Sequence, residues 1–221
     1  MPTALQQLYR EAAMCTLCPR LCDKQAVLSA RNGYRSAAVM FIAEAPGRLG
    51  ADRTRIPLAG DATGRNFEEL LAAVGLSRKG MFVTNAVLCN PRDPRGRNAR
   101  PNSTEIVNCS AFLRRQIELV NPRVIVTLGQ VALHAVNLIL GANFNLREAV
   151  GRAFPVGHRI LIPLYHPSPR VLNIHRKRSQ QIRDYQAVAA CLGAPGQFSL
   201  PSPELTLPRD LQARTSGRGV P

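Results

Sequence analysis

Two short apolar runs, Ala37–Ala43 (AAVMFIA) and Arg159–Tyr165 (RILIPLY), each stop abruptly against an unusual polar motif. Runs this short and this apolar read as buried strands. The first continues into Glu44-Ala45-Pro46-Gly47 and the second into His166-Pro167-Ser168-Pro169. Each motif sets an ionisable side chain just past the carboxyl end of a strand, where open α/β sheets assemble their sites. Far apart in the chain, the two motifs point to one composite site.

The intervening segments complete an alternating pattern. Thr3–Met14 reads as a short helix, and Arg65–Gly75 carries Phe67, Leu70, Leu71 and Val74 at helical spacing with Gly75 to stop it. Met81–Leu88 and Arg123–Leu128 read as strands, and Ala153–Tyr165 as one or two strands broken at Gly157. Helices are expected from Ser103 to about Val120, capped by Ser103 or Asn102, over Gln130–Leu140, and over Arg176–Leu192. Asn90–Asn102, rich in Pro, Arg and Asn, reads as an exposed loop. Alternating strands and helices define an α/β sandwich around a mostly parallel sheet.

The 221 residues suffice for one well-buried domain, placed at residues 1–192. Residues 193–221, dominated by Pro, Ser, Gly and Thr, read as a flexible tail. The chain shows no charged leader with an apolar stretch behind it and no run of membrane-spanning length, so a cytoplasmic protein independent of membranes is expected. A monomer is expected.

Charge narrows the partner. The chain has 29 Lys+Arg against 14 Asp+Glu, a formal net charge of +15. Such an excess suits a polyanion, because each neutralised phosphate releases condensed counterions. The basic residues are also clustered: Arg170, Arg176, Lys177, Arg178 and Arg183 occur without an acid among them, and Arg92, Arg95, Arg97 and Arg100 face only Asp93.

Of the six cysteines, Cys15 and Cys18 form a CxxC pair that can chelate one metal centre, and Cys89 and Cys109 are the natural completing thiolates. Cys22 competes as fourth ligand, and Cys191 suits a small buried apolar role. Four thiolates serve tetrahedral zinc or a [4Fe–4S] cluster equally well by spacing. Glu44 suits either acid–base work or the acceptance of loop amides. Asp61 precedes a helix and suits either its N-terminus or catalysis. Asn85, on a strand, suits a structural clamp or a reader of a ligand edge. His166, held between a strand and Pro167, is the strongest single candidate for chemistry. His134 and His158 are assigned no role.

Taken in order, Glu44-Ala45-Pro46-Gly47, Thr84-Asn85-Ala86-Val87-Leu88-Cys89 and Tyr165-His166-Pro167-Ser168-Pro169 resemble the motifs of the uracil-DNA glycosylase superfamily. The cysteine spacing is similar to that of its iron–sulfur branches, families 4 and 5. The resemblance runs from about Cys15 to Leu192. It implies a three-layer α/β/α sandwich with a central, mostly parallel four-stranded sheet. It also implies a [4Fe–4S] cluster on Cys15, Cys18, Cys89 and Cys109, with Cys22 outside. The implied substrate is DNA containing uracil or another deaminated base, flipped from the stack and hydrolysed at its N-glycosidic bond.

By the same resemblance, His166 hydrogen-bonds uracil O2, Asn85 reads N3–H and O4, and Asp61, ahead of Glu44, activates water. Ala45, Gly47, Leu58 and Ser168 would line the base pocket. Ser168, Pro169 and Arg170 would press into the duplex, and Arg176, Lys177 and Arg178 would meet phosphates. The chain also departs from the pattern. Ala43 stands where family 4 usually has glycine, while Gly60-Asp61-Ala62-Thr63-Gly64 is closer to family 5. Leu58 stands where both usually place a base-stacking Phe, which favours a second reading: a catalytically weak iron–sulfur module that binds damaged DNA. A small electron carrier would explain the cysteines but neither the His166 motif nor the charge.

Overall fold

The computed structural model describes residues 1–193. Strand β1 (Val39–Ala43) has all five residues buried, as a strand covered on both faces requires. Strands β2 (Phe82–Asn85), β3 (Val124–Leu128) and β5 (Arg159–Leu164) join it in one sheet of order β2-β1-β3-β5-β4, and these four run parallel. The expectation of four strands becomes five. Strand β4 (Phe154–Val156) is a short antiparallel edge, folded back on β5 through the two-residue turn Gly157-His158 with Gly157 at φ 60°.

Alternate strand residues feed two cores. Met40, Ile42, Phe82, Ile125 and Leu161 face α1 (Ala4–Ala13), α4 (Ser103–Val120) and α5 (Gln130–Leu140). Val39, Phe41, Val83, Val126 and Ile162 face α3 (Ala62–Ala73) and α7 (Arg178–Gly193). The result is the expected three-layer α/β/α sandwich. Phe41 packs edge-on to Phe67 at 5.2 Å and stacks on Tyr185 at 6.3 Å, so one strand residue ties α3 to α7. Burial of each such side chain is worth about 1.5–3 kcal/mol.

Caps set where the helices begin. Asn102 rather than Ser103 caps α4, in a reciprocal box with Glu105 (2.9 Å in each direction). Helix α3 begins three residues earlier than its apolar spacing suggests, because Asp61 Oδ1 accepts from the Gly64 amide at 2.9 Å. Two short helices, α2 (Ala51–Thr54) and α6 (Leu146–Ala149), sit in loops at the carboxyl edge of the sheet. A single π turn, Val171–His175, precedes α7. Among the described residues no helix is long and apolar enough to cross a membrane. Apart from Gly193, which ends α7, the expected tail lies outside the described residues.

Candidate active site

The carboxyl ends of β1, β2 and β5 converge. Asn85 ends β2 in register with Ala43, the last residue of β1, and Glu44 follows directly. His166 lies two residues beyond β5. Between them is a cavity of about 390 Å³ that brings together Glu44, Ala45, Gly47, Leu58, Asp61, Asn85, His166, Ser168 and Arg170. Pro169 is exposed nearby in the loop, and Lys177 and Arg178 are exposed beyond it. The two strand-end motifs therefore line one cavity.

Asn85 is 1% exposed, and its Nδ2 has no hydrogen-bond partner. A buried donor left unmade costs about 1–3 kcal/mol, and this one lines the cavity. Burial pushes the His166 imidazole down to about 4, and the nearby Asp61 charge opposes this only in part. The ring is thus neutral at pH 7 and carries one N–H donor. Burial likewise raises the Glu44 carboxyl above its usual range, against the pull of Arg100.

Asp61 is half committed. Oδ1 caps α3, while Oδ2 packs on the Cα atoms of two glycines: a Cβ at Gly47 would lie 3.1 Å from it and one at Gly50 only 2.4 Å. Gly47 thus serves the site by leaving room for the carboxylate. Leu58 adopts the left-handed conformation (φ 49°), which costs a bulky residue about 1–2 kcal/mol. Arg78 holds it there by donating to the carbonyls of Leu58, at 3.1 Å, and Pro57.

Composition hid part of the wall. Asn90 and Pro91, expected in an exposed loop, are buried. Asn90 Nδ2 donates to the Pro46 carbonyl and to Asn98 Oδ1 (3.1 Å), and its Oδ1 accepts from Arg92 Nε at 2.7 Å. Arg92 in turn pairs with Asp52 at 2.6 Å, and Asn98 Oδ1 accepts from the Arg48 amide at 2.8 Å. The one sequence signal for this network is that Asn90 directly follows Cys89, a few residues beyond the end of β2.

A second cavity, about 620 Å³, adjoins the first across Glu44, His166 and Arg170 and adds Arg100, Arg147 and His175. The other cations differ in availability. Arg178 pairs with Glu69 at the surface. Arg176 is engaged within the fold: its Nε and Nη2 donate to Asp184, at 2.9 and 2.6 Å.

Cys15 and Cys18 lie close enough to Cys89 and Cys109 that a charge on either raises both of their thiols, which burial already pushes up to about 11 and about 12. None of the four is in a disulfide. The Leu88 amide donates toward Cys109, and Asn108 Nδ2 lies 3.5 Å from Cys18 Sγ. Cys22 is exposed and turned to the Pro19 carbonyl at 3.1 Å, and Cys191 packs in the core. Among the described residues no three His, Cys, Asp or Glu side chains are disposed around a single metal ion.

A mostly parallel sheet with a cavity at its strand ends, lined by a buried histidine and an unpartnered amide, defines an α/β protein with a candidate ligand site. Residues 31–189 match the model of the uracil DNA glycosylase superfamily, and the chain belongs to that superfamily. It is 33% identical to a type-5 uracil-DNA glycosylase of Pyrobaculum aerophilum over 213 residues, covering 80% of this chain and 90% of that one. It is 30% identical to a type-4 uracil-DNA glycosylase of Archaeoglobus fulgidus (86% and 94% covered). A type-5 uracil-DNA glycosylase of Thermus thermophilus is 31% identical (70% and 82% covered).

Proposed function

We propose that this chain excises uracil from DNA by hydrolysing the N-glycosidic bond, with the flipped base held between Asn85 and His166. The observation that carries the reading is the buried Asn85 Nδ2 without a partner, which uracil O4 would satisfy while Asn85 Oδ1 accepts from N3–H. Cytosine reverses both polarities and would leave these groups unpaired. A neutral His166 would donate to O2 and strengthen that bond as the leaving anion develops, without placing a full positive charge beside the positive sugar. Asp61 Oδ2 would hold the attacking water, and Glu44 is the second candidate for that work. Leu58 would rest against the base with less stacking than an aromatic ring.

Arg170 and Lys177, with Arg100, Arg147 and His175 of the adjoining cavity, would meet phosphates. Cys15, Cys18, Cys89 and Cys109 fit a [4Fe–4S] cluster, since four neighbouring thiols free of disulfides make a suitable donor set. When bound, the cluster would cross-link the turn after α1 to the segment following β2 and to α4. Residues 1–192 would then form the glycosylase domain of a cytoplasmic monomer.

Alkali-induced strand cleavage of oligonucleotides bearing one uracil, hypoxanthine or xanthine tests the reading. Cleavage at uracil is expected. Salt-dependent DNA binding without cleavage at any of the three would replace the enzyme with a binding module.

A further inference from the structure

We infer that Arg176 is a positioning residue: its ion pair with Asp184 latches the His166–His175 segment to α7 and so sets His166 against the cavity. The pair is bidentate, Nε to Oδ2 at 2.9 Å and Nη2 to Oδ1 at 2.6 Å, the arrangement in which an arginine fork fixes direction as well as distance. Asp184 is 6% exposed, so removing Arg176 would strand a carboxylate charge away from water. The same guanidinium lies 5.8 Å from the centre of the Tyr165 ring, next to His166 in the chain. One side chain thus touches both the anchor helix and the root of the loop.

The backbone supports the same division of labour. Arg176 N–H donates to the Val171 carbonyl at 2.9 Å, closing the π turn, and its own carbonyl accepts from Gln181 Nε2 on α7 at 3.4 Å. At the other end, Asn66 of α3 donates to the Pro167 carbonyl at 2.9 Å, and Leu172 N–H donates to the Ser168 carbonyl at 3.0 Å. The segment is pinned at Pro167 and at Arg176. Between the pins, Pro169, Arg170, Asn173, Ile174 and His175 are exposed. An exposed segment that has to withstand contact with a duplex keeps a catalytic side chain in place only if its ends are fixed, since misplacement by about 1 Å can cost about a hundredfold in rate.

The test compares Arg176→Gln, Asp184→Asn and the double variant in the full, cluster-loaded chain. The kinetic arm rests on the uracil-excision reading. Each single variant is expected to lower kcat about ten- to a hundredfold while KM moves by less than about threefold. The double variant is expected to be no worse than the poorer single one, because both remove one interaction. The slope of log affinity for uracil-containing duplex against log salt should stay at its wild-type value. A phosphate contact would behave differently: Arg176→Gln would flatten the slope by about 0.9 and Asp184→Asn would be silent. That pattern overturns the latch.

Amide hydrogen exchange supplies an arm that needs no activity. Faster exchange at Leu172 and Arg176 in both single variants is expected, and unchanged exchange in either would overturn the proposal. If the wild type leaves uracil DNA intact, the functional reading fails while the exchange arm still decides the latch. If both variants fail to fold, Arg176→Lys, which keeps the charge but not the fork, should fold with an intermediate kcat. A wild-type kcat in that variant would also overturn the latch.

Discussion

Two polar side chains at the cavity are each held in a state that stability alone would not select. Asn85 keeps a donor unpaired, and Glu44 is partly desolvated without a hydrogen-bonding cation. Costs of this kind gather at functional sites. For Glu44 the sign is definite. A carboxyl whose folded-state pKa is raised binds its proton more tightly when folded, so it favours the fold at low pH and loses that contribution as pH rises through the folded value. Glu44→Gln should therefore raise the thermal midpoint at pH 7, with the gain vanishing near pH 4. A lower midpoint at pH 7 would contradict the burial argument. The two carboxylates should also separate kinetically. Asp61→Asn keeps the cap on α3, because Asn caps as well as Asp, yet it should lose about a hundredfold or more in excision rate. Glu44→Gln should lose about tenfold. The opposite ranking, read from single-turnover rates, would move the water to Glu44.

At the scale of elements, the site depends on how closely one loop approaches one helix. A Cβ at Gly64 would lie 2.8 Å from the Leu58 carbonyl oxygen and 2.9 Å from Ala59 Cα, both backbone atoms with little freedom to move. Alanine raises helix propensity by about 1 kcal/mol. The overlap should outweigh this, leaving Gly64→Ala destabilised by about 1–3 kcal/mol in urea unfolding and raising KM through the displaced Leu58 wall. A more stable Gly64→Ala would refute the close-approach argument.

The same scale shows what the sequence makes legible. Apolar runs and caps locate the strands and helices because burial on both faces and hydrogen bonding at helix ends are local demands. The edge strand β4 is harder to separate from β5, because three residues carry little period. The left-handed Leu58 is invisible, since its conformation comes from Arg78 twenty residues on. Asn90 reads as loop because its burial is decided by Pro46 and Asn98, which only the fold brings near. Arg176 reads as a surface cation for the same reason, as Asp184 lies two helical turns away in a basic stretch.

For the whole molecule, charge and thiols set the expected behaviour. The thiols of Cys15, Cys18, Cys89 and Cys109 bring together a turn, the segment after β2 and a helix, so a cluster there would tie the N-terminal segment to the body of the fold. Purified protein should absorb broadly near about 400 nm and contain iron and sulfide. Stripping the metal should lower the thermal midpoint measured by calorimetry. Zinc in place of iron, or a midpoint indifferent to chelation, would contradict the assignment.

The most direct measurement concerns the cavity itself. Single-turnover excision of uracil from a defined duplex should be compared for the wild type, His166→Ala and Asn85→Ala, with circular dichroism to establish that each is folded. Excision by the wild type is expected, and each folded variant should be slower by about a hundredfold or more, as loss of one preorganised donor to a developing anion or a read edge implies. Wild-type rates in both variants, or no excision by the wild-type protein, would contradict a site built on Asn85 and His166.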